Sequence, residues 1–322
     1  MVRGINLVPL SADDYVRDVM PHSAAMWSYG RSFDEYVMDF RLLARSAYGR
    51  RRFRTIGLRI EGDIVSSCKR YERELHCAGY AFRAVGIGAV FTPPALRGRG
   101  YASALLGALL DVERAAGVDL TYLFSNIHPL FYERLGFVTL PSRTISIRAS
   151  SLEPRKIDAF PITPGDWPAM RRCFDALEAR RPFGLRRTAL VWDWVQPRRA
   201  TTPAARVDLA LRRGRSIAAY VAGWRDVRSD AYVFDEFAFA DDAGREAIAP
   251  LLRLAAGDLR KVVGWLPPDS ARDALPRGAV KRRRDAIAMI APLSSIARAR
   301  WRQQKDEILC DRADRAWSTD AI

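Results

Sequence analysis

The stretch Val90-Phe-Thr-Pro-Pro-Ala-Leu-Arg-Gly-Arg-Gly-Tyr-Ala102 constrains this chain more than any other. A compact apolar run, Val85 to Thr92, reads as a strand stopped by Pro93 and Pro94. The chain then crosses two glycines into a helical pattern whose apolar face carries Leu105, Leu109, Val112 and Ala116. Gly98 and Gly100 have no Cβ, so backbone N–H groups there can approach an anion closely. The unpaired N–H groups of the first helical turn and the positive end of the helix dipole add to the attraction. Arg97 and Arg99 put formal charge beside the same cradle. Together these features predict a diphosphate site. It is not a P-loop, because no Gly-Lys-Ser/Thr follows. Nor is it the dinucleotide fingerprint, because GxGxxG and its place early in a repeated βαβ unit are absent.

The surrounding pattern alternates between strand and helix periods. A strand at Ile5 to Val8 is followed by Ser11-Ala-Asp-Asp14, a helix N-cap with acidic first-turn residues. Tyr36, Val37, Phe40, Leu43 and Ala44 line one face of a second helix over about Phe33 to Ser46. Strands at Arg54 to Ile60 and from Ile64 onward flank a Glu61-Gly62-Asp63 turn. After the loop and its helix come a strand at Leu120 to Ser125, a short helix around His128 to Leu135 and a strand at Phe137 to Leu140. A last strand, Thr144 to Arg148, is expected to finish this first sheet. The same order then recurs from Ser151, ending in a strand at Ala286 to Pro292. The predicted units are therefore 1–150, 151–296 and a polar helix or tail over 297–322.

Arg97-Gly-Arg-Gly-Tyr-Ala102 closely resembles the R/Q-x-x-G-x-G/A signature of the GCN5-related N-acetyltransferase (GNAT) superfamily. A second segment, Asn126-Ile-His-Pro-Leu-Phe-Tyr-Glu-Arg-Leu-Gly-Phe137, resembles the FYxxxGF close of that domain. The resemblance implies an α/β fold of two tandem GNAT-like domains. Each would be a mixed, mostly antiparallel sheet flanked by helices, and the second would be degenerate. It also implies acetyl-CoA as co-substrate and no metal. Backbone amides of Arg97, Gly98, Arg99, Gly100, Tyr101 and Ala102 would hold the pyrophosphate. Val90, Phe91 and Thr92 would meet the pantetheine arm as an added strand, with Asn126 and Phe131 flanking it. Tyr132 stands where the family keeps a phenol near the cofactor sulfur, and it is the expected general acid for the departing thiolate.

The general base is not legible. Val85 to Phe91 carries no carboxylate where many relatives place a glutamate, which leaves Glu72, Glu74, His128 or a water chain. The second half resembles the degenerate domain of proteins of the enhanced-intracellular-survival type, without their sterol-carrier-like domain. There Asp241 and Asp242 replace the glycine loop and bring the wrong charge for a pyrophosphate. That half is expected to hold no CoA and to wall a substrate cleft, with Trp192, Trp194 and Trp224 either lining the cleft or packing in the core.

Composition narrows the function further. The net charge of +15 suits anionic partners, but only five of the 52 basic residues are lysine and they are spread along the chain. That is the mark of coding bias rather than of nucleic-acid binding, which would need Arg180 to Arg187 and Lys281 to Arg284 on one face. Four cysteines and three histidines form no metal or disulfide pattern. No long apolar run or secretory leader is present, so a reduced, cytoplasmic protein is expected. The expected partner is a small-molecule or peptide amine; a non-catalytic acyl-CoA sensor is the alternative.

Overall fold

Asn6–Leu10 (β1) enters the first sheet, and Ser11 then turns the chain into a helical layer through a capping box with Asp14. That layer holds Ala12–Asp18 (α1), Met20–Trp27 (α2), Phe33–Arg45 (α3) and Ala47–Arg52 (α4). The architecture is that of a computed structural model, which describes residues 6–28, 30–77, 79–181, 183–200, 205–267, 269–310 and 316–321. Three long strands follow: Phe53–Ile60 (β2), Asp63–Cys77 (β3) and Tyr80–Phe91 (β4). Next come Tyr101–Ala115 (α5), Leu120–Ser125 (β5), Leu130–Glu133 (α6), Val138–Thr139 (β6) and Arg143–Arg148 (β7).

The second half opens with Ala159–Pro161 (β8), Trp167–Glu178 (α7), Phe183–Arg186 (β9), Ala189–Ala200 (α8) and Ala205–Arg206 (β10). Leu209–Arg213 (β11), Ser216–Asp226 (β12) and Ala231–Phe239 (β13) form a meander before Asp242–Ala256 (α9). Lys261–Trp265 (β14), Asp269–Arg272 (α10), Ala279–Arg282 (β15), Ile287–Pro292 (β16) and Ser295–Cys310 (α11) complete the described elements.

Two mixed sheets of eight strands result. The first runs β1-β2-β3-β4-β5-β16-β6, with β9 on the end of β3; the second runs β15-β7-β14-β13-β12-β11-β8, with β10 on β12. Each contains one parallel pair, β4 with β5 and β13 with β14, and is otherwise antiparallel. The α/β class and tandem arrangement that the resemblance implied are therefore present.

The last strand of each half is exchanged. Arg143–Arg148 was expected to finish the first sheet, yet it lies between β14 and β15 of the second. Ile287–Pro292 instead fills the slot between β5 and β6 of the first. The reason is geometric. The halves share one layout, so each offers an equivalent slot beside its parallel pair, and a short alternating strand specifies extension without naming a partner. β9 adds a further crossing, pairing Phe183 to Arg186 with Cys77 to Glu74 of β3.

A fragment ending at Ser150 would lack β16, leaving β5 without its antiparallel neighbour and β6 with none. We expect that fragment to be insoluble, or to show no cooperative thermal transition by circular dichroism. A cooperatively melting monomer would mean the exchange is dispensable.

Candidate functional site

The two parallel strands of the first sheet part company. Ala84 to Gly86 of β4 register with Leu120 to Tyr122 of β5, and pairing stops there, although β4 continues to Phe91 and β5 to Ser125. The β5-facing backbone of the end of β4 is left without a strand partner. On its other side β4 stays on β3 through a bulge: Lys69 faces Gly88, Ser67 faces Phe91, and Ala89 with Val90 oppose Cys68 alone. Ala89 takes φ +47°, in the left-handed region that a non-glycine residue rarely occupies. Bulges of this kind bend a strand and re-aim its groups. Ser66 fixes the far end: its hydroxyl donates to the Phe91 carbonyl at 2.9 Å and lies 3.0 Å from the Thr92 hydroxyl.

The gap leads to the glycine loop. Pro94–Leu96 form one tight turn, and the exposed Arg97 folds back so that its Nε donates to the Thr92 carbonyl at 3.2 Å. Its guanidinium thus braces the strand end as well as charging the loop. Gly98 and Gly100 have φ +77° and +80°, and a Cβ at either would meet nothing within 4 Å. The glycines are required by conformation, and the space over them is open to a ligand. Gly100 is the N-cap of α5 and supplies no side-chain cap. The first intrahelical bond runs from the Ala104 N–H to the Gly100 carbonyl at 2.9 Å. The N–H groups of Tyr101, Ala102 and Ser103 therefore have no acceptor within the helix. An exposed, uncapped terminus of a 15-residue helix preceded by two open glycines fits a diphosphate.

Tyr132 sits on α6 in the apolar cluster that also takes Cys68, Val85 and Ile87, with Val90, Tyr101 and Phe131 packed against it. Its ring stands edge-on to Phe131 and Phe137, with centroids at 4.9 and 6.0 Å. Burial, helped slightly by Cys68, pushes its phenol up to about 12, so the group is protonated at neutral pH. Burial likewise pushes the Cys68 thiol up to about 12. That thiol is a packing group rather than a nucleophile. Asn126 accepts at its Oδ1 from the Ala286 N–H at 2.8 Å, just before β16. Sequence reasoning did not reach the Ala89 bulge, because nothing in an alanine announces a positive φ.

The matching junction of the second half is differently built. Asp241 caps α9, accepting from the Gly244 N–H at 2.8 Å, and ion-pairs with Arg213. Its own carboxylate thus occupies the end of the helix where an anion would sit. Trp192 and Trp194 are buried core residues, and Trp194 stacks between Tyr48 and Tyr71 at 5.0 and 5.4 Å. Trp194 thus joins the halves and Trp192 packs on Phe174 within the second, while the half-buried Trp224 lies on β12 opposite Val233. Within the basic runs, Arg181, Arg187 and Arg283 are buried, so neither run is a continuous surface patch. The tail divides in two: α11 covers the first sheet with Ala297 and Ile308, and Trp317 with Asp320 is buried against the second half and β3.

Residues 12–139 match the acetyltransferase (GNAT) domain family. A protein named lysine acetyltransferase from Yarrowia lipolytica is 28% identical over 160 residues, which is 42% of this chain and 41% of that protein. The chain thus spans less than half the length of that relative. A solved GCN5-related N-acetyltransferase from Anabaena variabilis superposes with a TM-score of 0.72 at 14% identity, covering 91% of this chain and 74% of that one. A tandem GNAT protein from the clavulanic acid biosynthesis pathway does so with a TM-score of 0.53 at 14% identity, over 90% and 99% of the two chains.

Proposed function

We propose that this chain, whose residues 12–139 match the acetyltransferase (GNAT) domain family and whose fold is that of a tandem GNAT protein, moves an acetyl group from acetyl-CoA to the primary amine of a small molecule or peptide. One observation carries the reading: the gap beyond Gly86 and Tyr122 runs directly into the uncapped end of α5 at Gly100. A thioester-bearing arm can lie in that gap with its phosphates on the helix. The likeness to a lysine acetyltransferase supports an amine acceptor.

Backbone N–H groups from Arg97 to Ala102 hold the pyrophosphate, and Arg97 and Arg99 neutralise part of its charge. The free edge of Val90 to Thr92 bonds the pantetheine amides as a neighbouring strand would. Bound acetyl-CoA supplies the activated acetyl thioester. Tyr132 donates a proton to the sulfur as it leaves, which favours direct attack by the amine. The neutral Cys68 thiol is consistent with transfer that bypasses an enzyme thioester. Free, buried Cys68 and Cys173 suit a cytoplasmic protein.

Calorimetric titration with acetyl-CoA, followed by thiol release with a panel of amines, tests the reading. Binding with release is expected. Binding without release on any amine would favour the acyl-CoA sensor, a reading encouraged by the lack of a carboxylate on Val85 to Phe91. Absence of binding would end both. Within the same assay, Tyr132→Phe is expected to lower kcat about 10-fold to 100-fold with little change in acetyl-CoA affinity. Since the phenol keeps its proton to about pH 12, Tyr132 should impose no alkaline fall in kcat over the ordinary assay range. Full activity in the variant would return Tyr132 to a packing role.

A further inference from the structure

The second sheet ends on β15, which pairs with β7 from Ala279 opposite Ser146 to Arg282 opposite Arg143. It pairs with no other strand among the described residues, and all four of its residues are exposed. One row of its backbone N–H and C=O groups therefore has no ladder partner. The strand runs into four consecutive cations, Lys281-Arg-Arg-Arg284. Lys281, Arg282 and Arg284 are exposed and make no ion pair among the described residues, nor does the adjacent Asp285 pair with any of them. Other exposed arginines do find carboxylates: Arg212 meets Asp166, Arg213 meets Asp241 and Arg260 meets Asp230.

Arg283, the buried member of the run, fixes where the other three stand. Its guanidinium lies 3.5 Å from the centroid of the Trp265 ring and donates to the Ala286 carbonyl at 2.8 Å. Its backbone N–H donates to the Ser142 carbonyl at 3.0 Å. The Ala286 N–H is held in turn by Asn126, and Ile287 registers with Ser125 at the end of β5. That is the end of β5 lying beyond its pairing with β4, beside the proposed acyl gap. Arg284 is three residues from Ile287, a reach of at most about 11 Å, and Arg282 is five residues away, at most about 18 Å. Trp265 also meets the Phe124 ring at 5.6 Å, and Phe124 packs with Leu120 and Tyr122, while Leu123 packs with Tyr132 and the α5 leucines. The run thus approaches the gap from the face that α5 and Tyr132 leave to an acceptor.

Charge selects an anionic partner, and the free edge decides which kind. An edge strand pairs with another peptide backbone, which a nucleic acid lacks. Nor does a nucleic acid offer an alkyl amine of the sort the proposed reaction acetylates. A lysine on an edge can serve only to prevent self-association, but three unpaired cations in four residues also discriminate between partners by charge.

We infer that β15 docks an acidic segment of a peptide acceptor, which adds to it as a strand while a lysine further along the same peptide reaches the gap. From the reach above, that lysine lies about three to six residues beyond the acidic segment. The inference rests on the acetyltransferase reading above and narrows its acceptor to a peptide.

The test uses the full chain, acetyl-CoA and two peptides carrying one lysine each, flanked by a run of glutamates in one and of glutamines in the other. Each is made with the run on either side of the lysine. The glutamate peptide is expected to be favoured about 10-fold or more, in kcat/KM and in fluorescence-anisotropy binding at low salt. That advantage should shrink several-fold in about 0.3 M salt. Lys281→Glu combined with Arg282→Glu should abolish it through KM and move the preference to an arginine-flanked peptide, with acetyl-CoA affinity and Tm unchanged. Arg284→Glu, outside the strand, repeats the test with one charge should the pair disturb folding. N-methylation of alternate residues in the glutamate run should weaken binding several-fold, and undiminished binding would overturn the strand addition. Equal binding of the two peptides, binding of neither, or an unchanged preference in the charge variants would overturn the docking surface, while intact acetyl-CoA binding leaves the parent reading standing. Single-stranded RNA that binds more tightly than the glutamate peptide and displaces it would overturn the peptide in favour of a nucleic acid. Absence of acetyl-CoA binding by wild type would overturn the acetyltransferase reading itself.

Discussion

Replacing Gly98 by aspartate is expected to raise the Kd for acetyl-CoA by at least about 100-fold while leaving the protein folded. Position 98 has φ +77° and open space around its Cα, so a side chain there meets no neighbour. Aspartate tolerates the left-handed region better than most residues, which keeps the conformational penalty near 1–2 kcal/mol or below. Its carboxylate, however, would lie beside the uncapped N-terminus of α5 and compete there with the pyrophosphate for the same N–H groups. A hundredfold change corresponds to about 2.7 kcal/mol, a modest demand for two like charges sharing a desolvated cradle. Gly98→Ala separates the two contributions. It carries the backbone penalty without the charge, and a loss of about tenfold or less is expected. Calorimetry on both variants, with thermal melts as the folding control, decides the matter. If Gly98→Asp bound acetyl-CoA like wild type, the phosphate site would have to be sought away from Arg97 to Ala102.

This part of the molecule was legible because its chemistry is local. Two glycines, two prolines and a helical stripe within Val90 to Ala116 specify strand, turn and helix terminus without reference to the rest of the chain. Ser11 likewise announces α1, and it makes the N-cap that its place before Asp13 and Asp14 predicts. What could not be read is non-local. Thr144 to Arg148 and Ile287 to Pro292 are both recognisable strands, but their exchange is decided by which sheet offers the better-packed slot. The stack of Trp194 between Tyr48 and Tyr71 joins residues more than a hundred positions apart, and no period in the sequence reports it. The tail was unreadable for the same reason. Its Trp317 and Asp320 are ordinary surface candidates until the partners that bury them are known.

Those partners make Asp320 the site of the largest expected loss of stability. Its carboxylate accepts from Arg73 of β3 at 3.0 Å and from two nitrogens of Arg187, ahead of α8, at 3.0 and 2.9 Å. Arg187 also meets Glu236 of β13 at 2.7 Å, and Tyr220 donates to Glu236 at 2.7 Å. The four charged side chains are at most 2% exposed. The network therefore ties the first sheet, the second sheet and the tail through groups that water cannot reach. Burial alone would raise the Asp320 carboxyl, but Arg187 and Arg73 outweigh it and leave it below the usual carboxylate range. Removing one partner of such a cluster strands the others, at a cost of about 3–5 kcal/mol. Asp320→Ala is accordingly expected to lower Tm by roughly 10 °C, and added salt should not restore it because the charges left behind are not solvated. The pH dependence follows from the sign of the shift. A depressed carboxyl contributes its stability above the unfolded value of about 3.9 and loses it as pH falls through the lower folded value. The gap in Tm between wild type and Asp320→Asn should thus be full at pH 6 and narrow on acidification below about pH 4. A variant as stable as wild type at neutral pH would mean that Arg73 and Arg187 find other partners, and that the tail is not what holds the two sheets together.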